Sequence, residues 1–397
     1  MKILVLNSGS SSIKCQYFID QKSIASVLVE RIGEIESHSQ INYTDKKESD
    51  NASIADHHQA LNTILSMLKK SNVLTSIEEL DAVGHRVVHG GEAFKEPTVI
   101  TEDVIETIRS LIPLAPLHNP ANLEAIEILH KHYPDLEQVA VFDTAFHQSM
   151  PEYAYLYPIP YKLSKTSNIR RYGFHGTSHA YVAKKAAKML HKELNTVNLI
   201  TLHLGNGASV TAIRSGKSID TSMGLTPLEG LMMGTRCGDI DPAILTYLVN
   251  NNHMHIDDID RMLNKESGLK GICGSNDMRE VIEAAEQGNE KSALALDMYV
   301  YRIKKYIGAY TVALGHVDAI VFTGGIGEHA VKIREMVCKG LYDPIGVSID
   351  LTKNQIHSSV NRTISDEKSK IQLFIIPTNE ELEIVLQTQE VLNNLEM

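Results

Sequence analysis

The sequence predicts an α/β protein made of two domains of related build, and three observations lead there. At 397 residues the chain is too long for one ordinary core, so two domains are expected. Short apolar runs alternate with segments whose apolar residues recur at helical spacing, and that order repeats after about residue 150. Helix starts in both halves pair a polar cap with proline, at Asn119-Pro120 and at Asp241-Pro242.

Taken in order, residues 2–6 read as a buried strand, followed by 13–18 and 23–30 as short strands of a meander. Leu61, Ile64, Leu65 and Leu68 mark a helix that closes on Lys69-Lys70, where positive charge suits the helix C-terminus. Residues 82–89 and 139–142 read as buried strands, with helices beginning near Thr101 and at Asn119 between them. The proline-rich stretch 150–160 is the expected boundary. Beyond it, 199–204 and 208–214 read as strands, a helix starts at Asp241-Pro242, and a long helix, about 291–314, leads into a buried strand at 319–322.

Charge narrows the function. The formal net charge is 38 − 49 = −11, so no basic field exists to collect nucleic acid or anionic lipid. An acidic protein that handles anions must gather its cations locally. The opening Met1-Lys2-Ile3-Leu4-Val5-Leu6 is too short for a signal core, and the long helix carries Asp297, Arg302, Lys304 and Lys305, which excludes a membrane span. A cytoplasmic protein with no membrane partner is expected. Cys15, Cys237, Cys273 and Cys338 are widely spaced and read as reduced thiols. His57-His58, His130/His132 and His253/His255 lack metal-ligand partners and read as local or solvated.

Three turns share one design, an apolar strand followed by glycine and small polar residues. They are Asn7-Ser8-Gly9-Ser10-Ser11-Ser12-Ile13-Lys14, His203-Leu204-Gly205-Asn206-Gly207 and Thr323-Gly324-Gly325-Ile326-Gly327-Glu328. Small residues let backbone N–H groups approach phosphate oxygens, although each turn alone is equally well read as a plain tight turn. None matches a Walker A loop or a dinucleotide fingerprint. Together they point to nucleotide phosphates in an interdomain cleft, as in the sugar-kinase/actin (ribonuclease H-like) and heat-shock ATPase folds.

Seven blocks then become specific. Asn7-x-Gly-Ser-Ser-Ser-x-Lys14 and Gly84-His-Arg-Val-Val-His-Gly-Gly91 resemble the two signature motifs of the acetate kinase family. The resemblance continues through 117–120, 142–147, 172–179, 234–242 and 377–381, spanning essentially the whole chain in the expected order. Departures are confined to Cys273, Gly274 and Met278, on the side expected to meet adenine.

The family implies reversible, magnesium-dependent in-line transfer between ATP and acetate, giving acetyl phosphate and ADP, by a homodimer. Manganese could replace magnesium. It implies Asp143, His175 and Arg236 as catalytic residues, and Arg86, Val88, Leu117, His118, Phe174 and Pro227 as the acetate site. It implies Ser10, Ser12, Lys14, His203, Leu204, Gly205, Asn206, Gly207, Asp277, Met278, Arg279, Gly324, Gly325, Ile326, Gly327 and Glu328 around the nucleotide. Asn7 and Glu380 are implied as metal ligands.

The chemistry agrees with such a set. A carboxylate nucleophile, whose pKa lies near 4, arrives deprotonated and needs no general base. The obstacle is repulsion between two anions, so fixed cations matter more than bases. Arg86 could grip the substrate carboxylate with both prongs of its fork. Val88, two residues on along a strand, would share its face. Asp143, with no proton to remove, is expected to orient a neighbour or to lie in the metal shell. Thr378-x-x-Glu381 reads as a helix capping box that leaves Glu380 free.

The expected N-terminal, carboxylate-side domain is 1–147 joined by 383–397, and the nucleotide-side domain is 148–382. A propionate or butyrate kinase is the near alternative. A sugar kinase, which needs a catalytic Asp base, and a nucleotide-driven binding module of the same fold are the distant ones.

Overall fold

The computed structural model describes residues 1–395; residues 396 and 397, assigned above to the N-terminal domain, lie outside the described residues. The chain divides into two compact units, Met1–Gln148 with Asn379–Met397, and Ser149–Thr378.

Unit one is built on eight strands: β1 Lys2–Gly9, β2 Ser12–Ile19, β3 Lys22–Glu30, β4 Ser37–Tyr43, β5 Lys46–Ala52, β6 Ala82–Val87, β7 Thr98–Val99 and β8 Gln138–Phe142. Their order across the sheet is β5-β4-β3-β2-β1-β6-β8-β7. The first five form an antiparallel meander, β1, β6 and β8 are parallel, and β7 is an antiparallel edge.

Unit two has six strands: β9 Asn198–Leu204, β10 Ala208–Arg214, β11 Lys217–Thr221, β12 Ala319–Thr323, β13 Arg362–Thr363 and β14 Gln372–Ile375. Their order is β11-β10-β9-β12-β14-β13, with β9, β12 and β14 parallel and the others antiparallel. Without the β4–β5 hairpin, the first sheet has the same order and directions as the second. The repeat read from the sequence is therefore a repeat of topology, in the α/β class it predicts.

The β4–β5 hairpin has no counterpart in the sequence reading. β4 buries Ser37, Ser39 and Ile41 but exposes no regular apolar stripe, and β5 is exposed at every position. A strand held by backbone pairing at a sheet edge carries little hydrophobic signal.

Helices cover both faces of the first sheet. His57–Lys70 and Asn119–His132 place Leu61, Ile64, Ala125 and Leu129 against Leu4, Leu6 and Val83. On the other face Ile384, Val385 and Leu392 of the C-terminal helix Glu380–Leu395 pack on Ile3, Val5, Val139 and Val141. Each such aliphatic burial is worth roughly 1.5–3 kcal/mol. A Cβ on Gly84 would lie 2.7 Å from Ile384 Cγ2 and 2.8 Å from Thr388 Oγ1. Glycine thus lets this helix rest directly on β6, with its first turn beside Arg86.

Three helix starts differ from expectation: the one read at Asp241-Pro242 begins at Ala243 with Pro242 at the cap position, and Asp241 Oδ1 accepts from Ala243 N at 2.9 Å. Asn119 is not the cap; His118 takes that position. The Asn119 side chain instead accepts from His89 N at 3.1 Å and donates to His89 O at 3.0 Å. Asn122 likewise accepts from Val88 N and donates to Ser8 O. Backbone leaving the sheet ends here has buried groups to satisfy, and these two amides supply them. The C-terminal helix starts at Glu380, and Asn379 Oδ1 accepts from Leu382 N at 2.9 Å. The capping box at Thr378 and Glu381 is absent because Thr378 bonds Ser178 and Glu381 pairs with Lys14. Among the described residues no helix is long and apolar enough to cross a membrane.

Candidate active site

In unit one the carboxyl ends of the parallel strands β1, β6 and β8 bring Asn7, Arg86 and Asp143 together. This is where open α/β sheets place ligands. Arg86 Nε lies 3.2 and 3.1 Å from the Asp143 oxygens and Nη2 lies 2.6 Å from Oδ2. Nη1 donates to Asn7 Oδ1 at 3.3 Å, and Glu380 Oε2 is 3.9 Å from Nε. Burial works against the Arg86 charge, but the Asp143 carboxylate, then Glu380, outweigh it and hold the guanidinium more firmly protonated than usual.

Pairing inside the unit narrows the two-pronged grip to one of the two forked edges of Arg86, Nη1–Nη2. The Nε–Nη2 edge of Arg86 already belongs to Asp143, so an incoming carboxylate meets only the remaining edge. The reason is electrostatic: the Asp143 side chain is 2% exposed, and a carboxylate so deeply buried needs a cation. Asp143 and Arg86 therefore form a buried ion pair.

Other members of the set fall differently. Ser10 is the exposed tip of the β1–β2 hairpin, whose pairing runs to Gly9 and Ser12, so this turn is a tight hairpin. Lys14 is paired with Glu381. Val88 lies one residue beyond the end of β6, so strand alternation does not carry it onto the face of Arg86. It is half-buried, and Leu117 is 67% exposed.

The charge balance bears on magnesium. Burial pushes Glu380 above the ordinary carboxylate range; Arg86 and Lys14 oppose this, and Asp143 and Glu381 add to it. Asp143 and Glu381 are taken up by Arg86 and Lys14, which leaves Glu380, 3.9 Å from Arg86, and the Asn7 amide as hard oxygen donors. That donor set fits Mg2+, which takes one or two carboxylates and leaves its other positions to phosphate and water.

In unit two the carboxyl ends of β9, β12 and β14 carry the second and third glycine turns. His175 caps the helix Gly176–Met189 in a left-handed conformation, φ 57°, which costs a non-glycine residue of order 1–3 kcal/mol. Its ring is held by Ser209 Oγ, 2.9 Å from Nδ1, and by stacking on His203 at 4.2 Å. His203 Nδ1 bonds Ser178, which bonds Thr378.

Arg236 joins this group through Gly207. A Cβ on Gly207 would stand 3.3 Å from Arg236 Nη1 and 3.7 Å from His175 Nε2. Its loop is pinned by Met233 N to Arg236 O and Gly234 N to Asn206 O, and a side chain on Gly234 would overlap the Asn206 amide. Arg236 donates to Pro227 O at 3.2 Å, and no carboxylate lies within ion-pair distance among the described residues. Burial accordingly draws its pKa down. A half-buried guanidinium without an anion is half of an ion pair.

A pocket of about 830 Å3 lies wholly in unit two. Gly205, Asn206, Asp277, Met278, Arg279, Gly325 and Ile326 line it, bringing both glycine turns and the 277–279 segment to one place. Leu204, Gly324, Gly327 and Glu328 do not form its wall. Leu204, Gly324 and Gly327 are buried, and Glu328 Oε1 accepts from Gly324 N and Thr378 N at 3.0 and 3.1 Å, tying two turns together. Arg279 is turned onto Asp277, whose carboxyl it holds down at about 2. Phe174 is buried and Pro227 half-buried, both in unit two.

A sequence profile of the Acetokinase family matches residues 2–386. The chain belongs to the acetokinase family. The acetate kinase of Sulfurovum sp. (strain NBC37-1) is 62% identical over 395 residues, covering all of both chains. Acetate kinase from Porphyromonas gingivalis superposes with a TM-score of 0.94 at 44% identity, covering 98% of this chain and 99% of that one. A propionate kinase from Francisella tularensis reaches 0.92, also at 44% identity and the same coverage.

Within this chain the sequence reading missed Asn276, Ile282, Glu283, Glu286, His329 and Lys332, all on the pocket wall. Ile282 and Glu286 stand four and eight residues after Met278 in one helix, so helical spacing from Met278 could have found them. Lys332 and Asn276 carry no comparable signal.

Proposed function

We propose that the chain is an acetate kinase, catalysing reversible phosphoryl transfer between ATP and acetate. The observation that carries this reading is the state of Asp143. A kinase for a neutral hydroxyl needs a carboxylate free to take a proton. Asp143 is buried and gripped by Arg86, so it serves an acceptor that is already ionised.

The first unit is assigned the carboxylate side, with Arg86 the acetate-binding cation and Val88, Leu117 and His118 about it. The second is assigned the nucleotide side. ATP occupies the pocket bounded by Gly205, Asn206, Asp277, Met278, Gly325 and Ile326. Arg236 and His175 meet the transferring phosphoryl group, with Phe174 and Pro227 as apolar residues of the same unit. Asn7 and Glu380 hold magnesium, which neutralises phosphate charge when bound.

The reading extends to a cytoplasmic homodimer. Helix Ala243–Asn252 is apolar yet buries no residue, and Ile244, Tyr247 and Val249 on it are exposed, which suits a second copy. The test of activity is product capture. With ATP, magnesium and acetate, hydroxylamine should trap an acyl hydroxamate, and glycerol or hexoses should stimulate no ATP consumption. Consumption driven by a sugar and not by acetate would overturn the assignment.

A further inference from the structure

We infer that Thr201, His179 and Ser209 form a buried hydrogen-bond relay that fixes the tautomer of His175, placing its proton on Nε2. The relay lies within unit two. Thr201 Oγ1 is 2.7 Å from His179 Nδ1, His179 Nε2 is 2.8 Å from Ser209 Oγ, and Ser209 Oγ is 2.9 Å from His175 Nδ1. Thr201, His179 and Ser209 are fully buried, so each proton in the row needs an acceptor within the protein.

The direction follows from counting protons. Thr201 carries one hydroxyl hydrogen, and its side chain has His179 as its one hydrogen-bond partner among the described residues. Donation to His179 Nδ1 satisfies that hydrogen; the opposite polarity strands it in the core. His179, accepting at Nδ1, is then the Nε2–H tautomer and donates to Ser209 Oγ. Ser209 has one hydrogen for two ring nitrogens, and with His179 donating to it, that hydrogen goes to His175 Nδ1. His175 is left with its proton on Nε2, beside Gly207 and Arg236. A proton on His175 Nδ1 would either reverse every bond and strand the Thr201 hydrogen, or leave Ser209 accepting from both rings with its own buried hydrogen stranded. The relay thus keeps His175 a neutral donor at Nε2.

The consequence for catalysis rests on the proposed function. A fixed Nε2–H meets a phosphoryl oxygen with no proton movement during transfer, the preorganisation that lowers electrostatic barriers. Thr201, His179 and Ser209 touch no substrate in this scheme. They are positioning residues, as partners of the far ring nitrogen are in other histidine sites.

The test separates the relay from the function. In histidine-labelled protein, 15N spectra with His175 assigned through His175→Asn should show the Nε2–H tautomer. Thr201→Val, which keeps shape but removes the donor, should mix the tautomers, and Thr201→Ser should restore the native spectrum. In kinetics Thr201→Val should lower kcat roughly 5- to 100-fold, leaving KM for both substrates nearly unchanged. A native His175 bearing its proton on Nδ1 overturns the inference even if Thr201→Val fails to fold. So does a Thr201→Val spectrum identical to native. A lost tautomer with undiminished kcat supports the relay and instead overturns the role of His175 in transfer.

Discussion

Replacing Arg236 should damage catalysis while sparing the fold, a combination that few half-buried positions offer. Among the described residues its donated oxygen contact is to Pro227 O, at 3.2 Å. Losing it costs about 0.5–1.5 kcal/mol. Against that stands the removal of a poorly solvated charge. The folded pKa is drawn down by burial, so folding disfavours the charged form relative to the unfolded chain, where arginine is charged at any ordinary pH. Arg236→Met keeps much of the volume and removes the charge, so the two effects oppose each other and the melting temperature should stay level or rise. Transition-state stabilisation has no such compensation. Loss of one donor aimed at developing charge costs roughly 2.7–4 kcal/mol, a fall of 10²–10³ in kcat. Steady-state kinetics with ATP and acetate, alongside a thermal melt without ligands, read both. Near-normal kcat removes Arg236 from the mechanism, and a collapsed melting temperature with lost activity makes it a structural residue.

Three further outcomes follow from the geometry. Arg86→Lys should raise KM for acetate far more than it lowers kcat, because an ammonium cannot hold Asp143, reach Asn7 and still present a flat edge; unchanged affinity would refute the contact. Glu380→Ala should raise the magnesium concentration needed for half-maximal rate without lowering the melting temperature, since Asn379 supplies the helix cap. A lower melting temperature with an unaltered magnesium response would assign Glu380 to the fold alone. Stability should fall as pH drops from about 6.5 to 4: burial pushes His85 down to about 4 against an ordinary value of 6.5, so in that window the unfolded chain binds a proton the folded chain refuses. The contribution is about 3 kcal/mol, complete above pH 6.5, and His85→Gln should flatten the slope of melting temperature with pH.

The sequence was most legible where one residue type answers to one physical demand. Buried strands such as β8 and β12, apolar at nearly every position, announced themselves, and so did Thr101, which accepts from Val104 N as a helix cap should. The family blocks brought the candidate residues to two strand-end clusters. What stayed hidden was competition for polar groups. Asn119 looks like a cap and instead serves the backbone of His89, thirty residues away. Arg86 looks free to bind substrate, but Asp143, fifty-seven residues on, reaches it first. Lys14 beside a serine-rich turn suggests phosphate, yet it pairs with Glu381 on the last helix. Each partner is set by tertiary contact between distant segments, which periodicity and local spacing do not encode.

The most direct measurement is the specificity ratio kcat/KM for acetate against propionate and butyrate, in the native chain and in Val88→Ala. The comparison matters because an acetate kinase and a propionate kinase superpose on this chain at the same 44% identity. One methylene in an apolar pocket is worth about 1–3 kcal/mol, or 10- to 200-fold. If Val88 closes the methyl site, native enzyme should favour acetate by a factor in that range. Val88→Ala should narrow it, chiefly through a lower KM for propionate. A native preference for propionate would contradict the assignment of acetate as substrate, and equal ratios in native and variant enzyme would contradict the place of Val88 in the site.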